Sequence, residues 1–397
     1  MRNISYMMEK TQKNNSIFIF LIILSLIYLP KIGVLDFTIS LLVPFALFLF
    51  ITKRIYIEKE IIFASIILLL IQAYVIITSL INGVFISNVV LIPIRNIIIM
   101  FSLYAIISYY KMNFNNFIKI ILYILLVNTI LIFIQFFLHL NFGIIDYLYN
   151  PQFPSEMINT IRKPGYFTGY PVAGFISNMG AILSIYIYMQ NKKFRYIYLY
   201  ILFFITSLLT ARTALLFNIL IFPFIIISLN RRHVFYLMII FIISISLFIT
   251  YSNNYTIAIF NKFKVAFEFL IEQKGDHSTN DLIKNHYKLP NDLLTFSFGN
   301  ALDPQEFSDV GYIQAIFKGG MTLFSITLIF YFYLFITMFK NISNNKKSIF
   351  LILSIILCFI FYNFKGPYLL SRTVGDFIMI IFTSLLVYNV SKNKNHE

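Results

Sequence analysis

The chain has 397 residues, a mean hydropathy of +0.82, 59% apolar and 12% charged residues, and a formal net charge of +15. These values exclude a soluble globular domain and describe a multi-spanning membrane protein. The bases are dispersed in short stretches between apolar runs, so no nucleic-acid-binding patch is expected; they orient a membrane protein instead.

A membrane-crossing helix needs about 20 mostly apolar residues. Such segments are predicted at 17–35, 36–52, 61–81, 89–109, 117–140, 170–190, 196–211, 212–229, 234–251, 311–339, 349–365 and 372–390. The expected fold class is therefore all-α, a polytopic membrane bundle of about twelve helices. The first segment follows Lys10 and Lys13 as a signal peptide would, but it lacks a small-residue cleavage site. It is read as a retained helix with Lys31 reaching outward. The seventh and eighth segments nearly fuse at Ala211-Arg212.

Two polar segments are long. The first, 141–169, contains Pro151, Pro154 and Pro164. The second, 252–310, holds eight of the sixteen acids and two of the five histidines. Within it, Ile259, Phe263, Phe267 and Leu270 fall at helical spacing, which predicts a helix over Thr256 to Gly275 on the membrane surface or capping the bundle. The organisation is thus nine helices in 1–251, an external segment 252–310, and three helices in 311–397. No internal repeat of the kind that builds paired-half transporters is visible.

With the N-terminus inside, eighteen Lys and Arg and four acids fall on the cytoplasmic side, and thirteen bases and twelve acids fall outside. This asymmetry places both termini in the cytoplasm and both long segments outside a cytoplasmic (inner) membrane.

Four of the nine arginines, Arg95, Arg162, Arg212 and Arg372, map to the outer face rather than to cytoplasmic loops. An Arg in hydrocarbon costs a few kcal/mol and needs a partner or a wet cavity. Guanidinium groups also grip phosphate or carboxylate through two parallel hydrogen bonds. Single arginines snorkelling to the headgroups would explain each residue alone; a shared anionic-ligand pocket explains them together. Asp309, in Phe-Ser-Asp-Val-Gly-Tyr at the start of the tenth segment, could cap that helix or serve chemistry. Gly311, Tyr312 and the Gly319-Gly320 pair follow it, and paired glycines allow close approach of a helix or ligand. Asp303 and Glu306 are nearby alternatives. Among the histidines, His286 beside Tyr287 and Lys288 is the better base candidate; His277 reads as an exposed loop residue and His139 as an interfacial one. Cys358 reads as a buried apolar residue. No metal-ligand, Walker or dinucleotide spacing occurs, so neither metal nor cofactor is expected.

Three stretches form an ordered pattern. Arg162-Lys-Pro-Gly-Tyr-Phe-Thr-Gly-Tyr-Pro171 resembles the "R-x-x-G-x-F-x-x-P" motif of polysaccharide polymerases and O-antigen ligases. Leu209-Thr-Ala-Arg212-Thr-Ala-Leu resembles their "S-x-S-R-[TS]-A" signature. Phe298-Gly-Asn, Ser308-Asp309-Val-Gly311-Tyr312 and Gly319-Gly320 together resemble the polymerase "G-x-G … S-D-x-G-Y … G-G" series. The chain thus resembles the O-antigen and capsular polysaccharide polymerase (Wzy) family over 160–340. The resemblance implies a C-type membrane glycosyltransferase bundle with a large external loop. It also implies transfer of a growing chain from undecaprenyl pyrophosphate to a hydroxyl of a new lipid-linked repeat unit. Implied partners are that lipid-linked oligosaccharide, the bilayer, a chain-length regulator and a flippase. Arg95, Arg162, Arg212, Arg372 and Tyr312 would then hold pyrophosphate, and Asp309, with His286 in reserve, would act as base beside Arg212. An O-antigen ligase and a lipid-linked oligosaccharide flippase are the rival readings.

Overall fold

The computed structural model describes residues 16–29, 31–32, 35–53, 55–84, 87–110, 112–138, 162–167, 169–251, 264, 282–301, 308, 310–342 and 346–393. Asp303, Glu306, Asp309, His139, His277 and the helix expected over 256–275, apart from Lys264, lie outside them.

The described elements are α1 (Ser16–Tyr28), β1 (Lys31–Ile32), β2 (Leu35–Asp36), α2 (Phe37–Lys53), α3 (Lys59–Ile81), α4 (Ser87–Tyr110), α5 (Phe114–Phe137), α6 (Tyr170–Asn191), α7 (Arg195–Leu209), α8 (Arg212–Ser228), α9 (Arg231–Tyr251), α10 (Leu293–Phe298), α11 (Gly311–Asn341), α12 (Lys346–Asn363) and α13 (Val374–Asn393). A one-turn π-helix, Leu282–His286, precedes α10. Among them α3, α4, α5, α6, α11 and α12 are long and apolar enough to cross a membrane. The apolar helices α1, α2, α7, α8 and the Val374–Asn389 part of α13 are shorter.

The first predicted segment is corrected. The first helix ends at Tyr28, and β1 pairs with β2 antiparallel, Lys31 with Asp36 and Ile32 with Leu35. Pro30 accounts for this, because the residue before a proline is pushed out of the helical region.

The chain divides into two compact units. The first comprises 1–124, 289–342 and 367–397. Here α4 packs against α2, α3 and α13, and α11 packs against α3, α13 and the short α10. The second comprises 125–288 and 343–366. Its centre is α6, which packs against α7, α8 and α12 and is buried almost all round. A helix apolar on every side belongs in such a position. Gly180 admits the Phe203 ring of α7, which a Cβ there would meet at 2.2 Å.

Candidate functional site

In the second unit, the segment Arg162–Phe167 is fastened to α5 by two polar side chains. Gln135 Nε2 donates to the Gly165 carbonyl at 3.0 Å, and the Gly165 N–H donates to Gln135 Oε1 at 2.8 Å. Two turns away on the same face, Asn128 Oδ1 accepts the Tyr166 N–H at 2.8 Å. Gly165 has φ +67° and lies so near that a Cβ would meet Asn128 Oδ1 at 2.3 Å. Only glycine satisfies both the left-handed turn and the close approach. Asn128 and Gln135 are seven residues apart, two helical turns, so they share one stripe of α5.

The segment then docks on the end of α7. The Lys163 N–H donates to the Leu209 carbonyl at 2.7 Å, capping one of the acceptors left open at a helix C-terminus. Thr210 and Ala211 leave the helical conformation, and Arg212 opens α8. Thr210 Oγ1 donates back to the Ser207 carbonyl at 3.1 Å. This geometry brings Arg162 near Arg212, with the Lys163 backbone on the end of α7. Arg162 and Arg212 are near enough to repel electrostatically, and both are half-buried. Lys163 is only 4% exposed, and that burial holds its ammonium below the ordinary lysine range. The N-terminus of α8, with its positive dipole end, lies at the same point. Two guanidinium groups therefore meet at the start of α8.

The junction is recessed. A Cβ on Gly174 would sit 2.8 Å from Ala214 Cβ, 3.0 Å from the Tyr362 hydroxyl and 3.4 Å from Thr210 Oγ1. The α7–α8 turn is thus level with Gly174, about one turn inside the start of α6. Beneath it runs a chain of fully buried polar groups joining four helices. Asn178 Nδ2 donates to the Tyr362 hydroxyl at 3.0 Å. Asn218 Nδ2 donates to Asn178 Oδ1 at 2.9 Å and to Ser207 Oγ at 2.8 Å. These bonds fix the register of α8, and so the depth of Arg212, more firmly than interchangeable apolar contacts would.

In the first unit, Arg95 and Arg372 are held by carboxylates. Arg95 Nη1 and Nη2 donate to the two Asp376 oxygens at 2.7 and 2.8 Å, and Nε donates to Asp36 Oδ2 at 2.7 Å. A longer contact of 3.4 Å reaches Asn96 Oδ1. Four of the five guanidinium donors are thereby engaged by protein oxygens. Arg372 lies 3.5 Å from Asp36 Oδ1 and donates to the Leu29 carbonyl and, at 3.0 Å, to Thr38 Oγ1. Asp36 also caps α2 through the Thr38 N–H at 3.0 Å, and Asp376 accepts the Thr373 N–H at 3.1 Å. Two bases and two acids form a neutral buried clasp among α1, the hairpin, α2, α4 and α13. Leu370 and Thr373 flank Arg372 with φ of 59° and 68°. Positive φ at a β-branched residue is strained; the Thr373 N–H donates to Asp376 and the Leu370 N–H to the Tyr331 hydroxyl, and these bonds hold the turn.

The remaining motif residues are structural in part. Ser308 Oγ accepts the Val310 N–H at 3.0 Å and its carbonyl accepts Gln314 Nε2 at 2.6 Å, which seats the start of α11. Tyr312 packs edge-on against Phe324, with centroids 5.8 Å apart. The Gly319-Gly320 pair receives another stretch of backbone: Gly320 has φ 66° and ψ −172°, and a Cβ there would meet the Ser297 carbonyl at 2.2 Å. His286 ends the π-turn, half-buried, and the Tyr287 hydroxyl donates to the Phe364 carbonyl at 3.0 Å. Among the described residues no group of three His, Cys, Asp or Glu side chains could hold a metal ion. Cys358 is buried, as expected. Sequence reasoning missed Asp36 and Asp376 as partners of the arginines, and Lys163, Asn128, Gln135, Asn178 and Asn218 altogether. The available signal was an amide or carboxylate inside an apolar run.

The chain matches no protein-family model, no curated protein and no solved structure.

Proposed function

We propose that this protein is a polysaccharide polymerase of the cytoplasmic membrane, joining polyprenyl-pyrophosphate-linked oligosaccharide units at the outer face. The observation that carries the reading is the meeting of Arg162 and Arg212 at the N-terminus of α8, where a docked loop is fastened through the Lys163 backbone. In the proposed topology twelve helices cross, both termini are cytoplasmic, and the Arg162 loop enters from outside. The recess then lies below the outer headgroups, at a depth reached by a lipid diphosphate.

In the proposed reaction an acceptor hydroxyl attacks C1 of the lipid-linked sugar. The new C–O bond forms as the bond from C1 to the pyrophosphate oxygen breaks, and the bonding pair leaves with that oxygen. Arg162 and Arg212 hold the negative charge that develops there; preplaced cations in a water-poor site stabilise it without rearrangement. The hydroxyl proton passes to a base, for which Asp309 and then His286 are the sequence candidates. Arg95 has its donors engaged by Asp36 and Asp376, so it is assigned to holding helices rather than ligand. No cofactor or metal enters the scheme.

Arg212→Lys tests the assignment. Lys keeps the charge but lacks the planar fork. In cells whose only copy carries Arg212→Lys, long polymer is expected to vanish while single repeat units still reach the surface and the protein level is unchanged. Wild-type chain lengths would remove Arg212 from the site. Absence of even single units in a deletion strain would point to a flippase instead.

A further inference from the structure

The helix α10 is six residues long, yet Leu293, Leu294 and Phe298 are 76%, 69% and 55% exposed. At 100° per residue these three positions share one face. Its other side is clamped to α11. Asn300 N–H donates to the Phe317 carbonyl at 3.0 Å, Ala301 N–H to that of Lys318 at 3.1 Å, and Thr322 Oγ1 to that of Ser297 at 3.0 Å. The Tyr74 hydroxyl bridges the Phe298 and Gly319 carbonyls at 3.2 and 3.0 Å. An apolar face has therefore been built and held outward.

The sequence of α11 gives the level at which it sits. From Gly319 to Phe339 there is no charge, and Lys318 and Lys340 bound the stretch. Its 21 residues measure about 32 Å at 1.5 Å per residue, close to the hydrocarbon thickness of about 30 Å. The crossing with α10 falls at Gly319-Gly320, the end of that stretch. At the N-terminus of α10 the exposed Asp292 carboxylate accepts the Thr295 N–H at 2.8 Å. Polar cap, apolar face and depth agree.

We propose that α10 is an interfacial anchor, lying in the bilayer surface with Leu293, Leu294 and Phe298 inserted among the outermost acyl-chain segments. The occupant of the face is lipid. The inference is independent of the reaction assigned above.

The chain has no tryptophan, so a single introduced one reports alone. Leu294→Trp, Leu293→Trp and Ile329→Trp are made in the full chain and reconstituted in phosphatidylcholine vesicles. Ile329 is 58% exposed in the middle of the uncharged stretch and serves as the deep reference. Lipids brominated near the headgroup should lower the Leu294→Trp emission about twofold more than lipids brominated near the chain end, with the order reversed for Ile329→Trp. Leu293→Trp should behave like Leu294→Trp, and it carries the test if that variant does not reconstitute. Quenching of both surface variants by aqueous iodide but not by brominated lipid would overturn the proposal. So would insensitivity to both quenchers, which would mean that protein, such as a second copy, covers the face.

Discussion

Gly320 combines a positive φ with an extended ψ, a region open to glycine and almost nothing else. The neighbouring chain adds a second demand, since Gly299 has φ 77° and its missing Cβ would meet Gly319 at 2.5 Å. Two glycine-bearing backbones therefore cross where side chains would not fit. Gly320→Ala should destabilise the protein by about 3 kcal/mol or more, from strain plus collision. Gly83 is the control: its φ is +64°, but nothing lies within 4 Å of its Cβ position. Gly83→Ala should cost only about 1–2 kcal/mol of backbone strain. Thermal unfolding in detergent compares the two, and equal losses would contradict a backbone crossing at Gly320. The sequence pair Gly319-Gly320 promised a close approach, and the structure supplies the approaching partner. What could not be read was whether that partner is ligand or chain, because glycine permits either. Asp36 and Asp376 were illegible for a related reason. A carboxylate at a helix start reads as a cap, and only folding brings one guanidinium within reach of both.

At the scale of elements, the clasp around Arg95 joins parts of the chain that are distant in sequence. Asp376 has no side-chain exposure and Arg95 has 11%. Removing one member of such a pair leaves a buried charge without its counter-charge, which costs about 3–5 kcal/mol. Arg95→Met should show that loss. Arg372 is more exposed, at 24%, and its contact with Asp36 is 3.5 Å, so Arg372→Met should cost about 1 kcal/mol. Arg95→Met combined with Asp376→Asn should recover part of the loss, because the orphaned charge is gone while the cap on Thr373 can persist. Unfolding midpoints of the three variants decide this, and an Arg95→Met protein as stable as the parent would show the clasp to be dispensable. Element limits were legible wherever hydropathy set them: the segment expected at 170–190 is found at Tyr170–Asn191, and that at 212–229 at Arg212–Ser228. The loop from Arg162 was legible only as a motif. Its docking depends on Asn128 and Gln135, whose polar stripe lies in an otherwise apolar helix far upstream, and no local pattern in the loop announces it.

For the whole molecule, helix length bears on topology. The helices α1, α2, α7 and α8 measure roughly 20, 26, 22 and 26 Å at 1.5 Å per residue, each short of a hydrocarbon core of about 30 Å. They occur as consecutive pairs, α1 with α2 and α7 with α8. A pair that enters and returns without crossing reverses the chain twice, so the orientation of everything after it is unchanged. The positive-inside assignment therefore makes the same prediction whether or not the short pairs cross fully. Cys358 is the only cysteine, so Cys358→Ser yields a background for single-cysteine labelling. On it, Asn82→Cys and Lys365→Cys should react with a membrane-impermeant maleimide on intact cells. Lys193→Cys, between α6 and α7, should react only after permeabilisation. Thr210→Cys distinguishes the depth of the α7–α8 turn: in a recess below the outer surface it should label more slowly than Asn82→Cys, and slow further when pyrophosphate is added from outside. Rapid labelling of Thr210→Cys unaffected by pyrophosphate would put the turn in open water, and labelling of Lys193→Cys on intact cells would invert the protein and remove the anion-binding recess from the outer face.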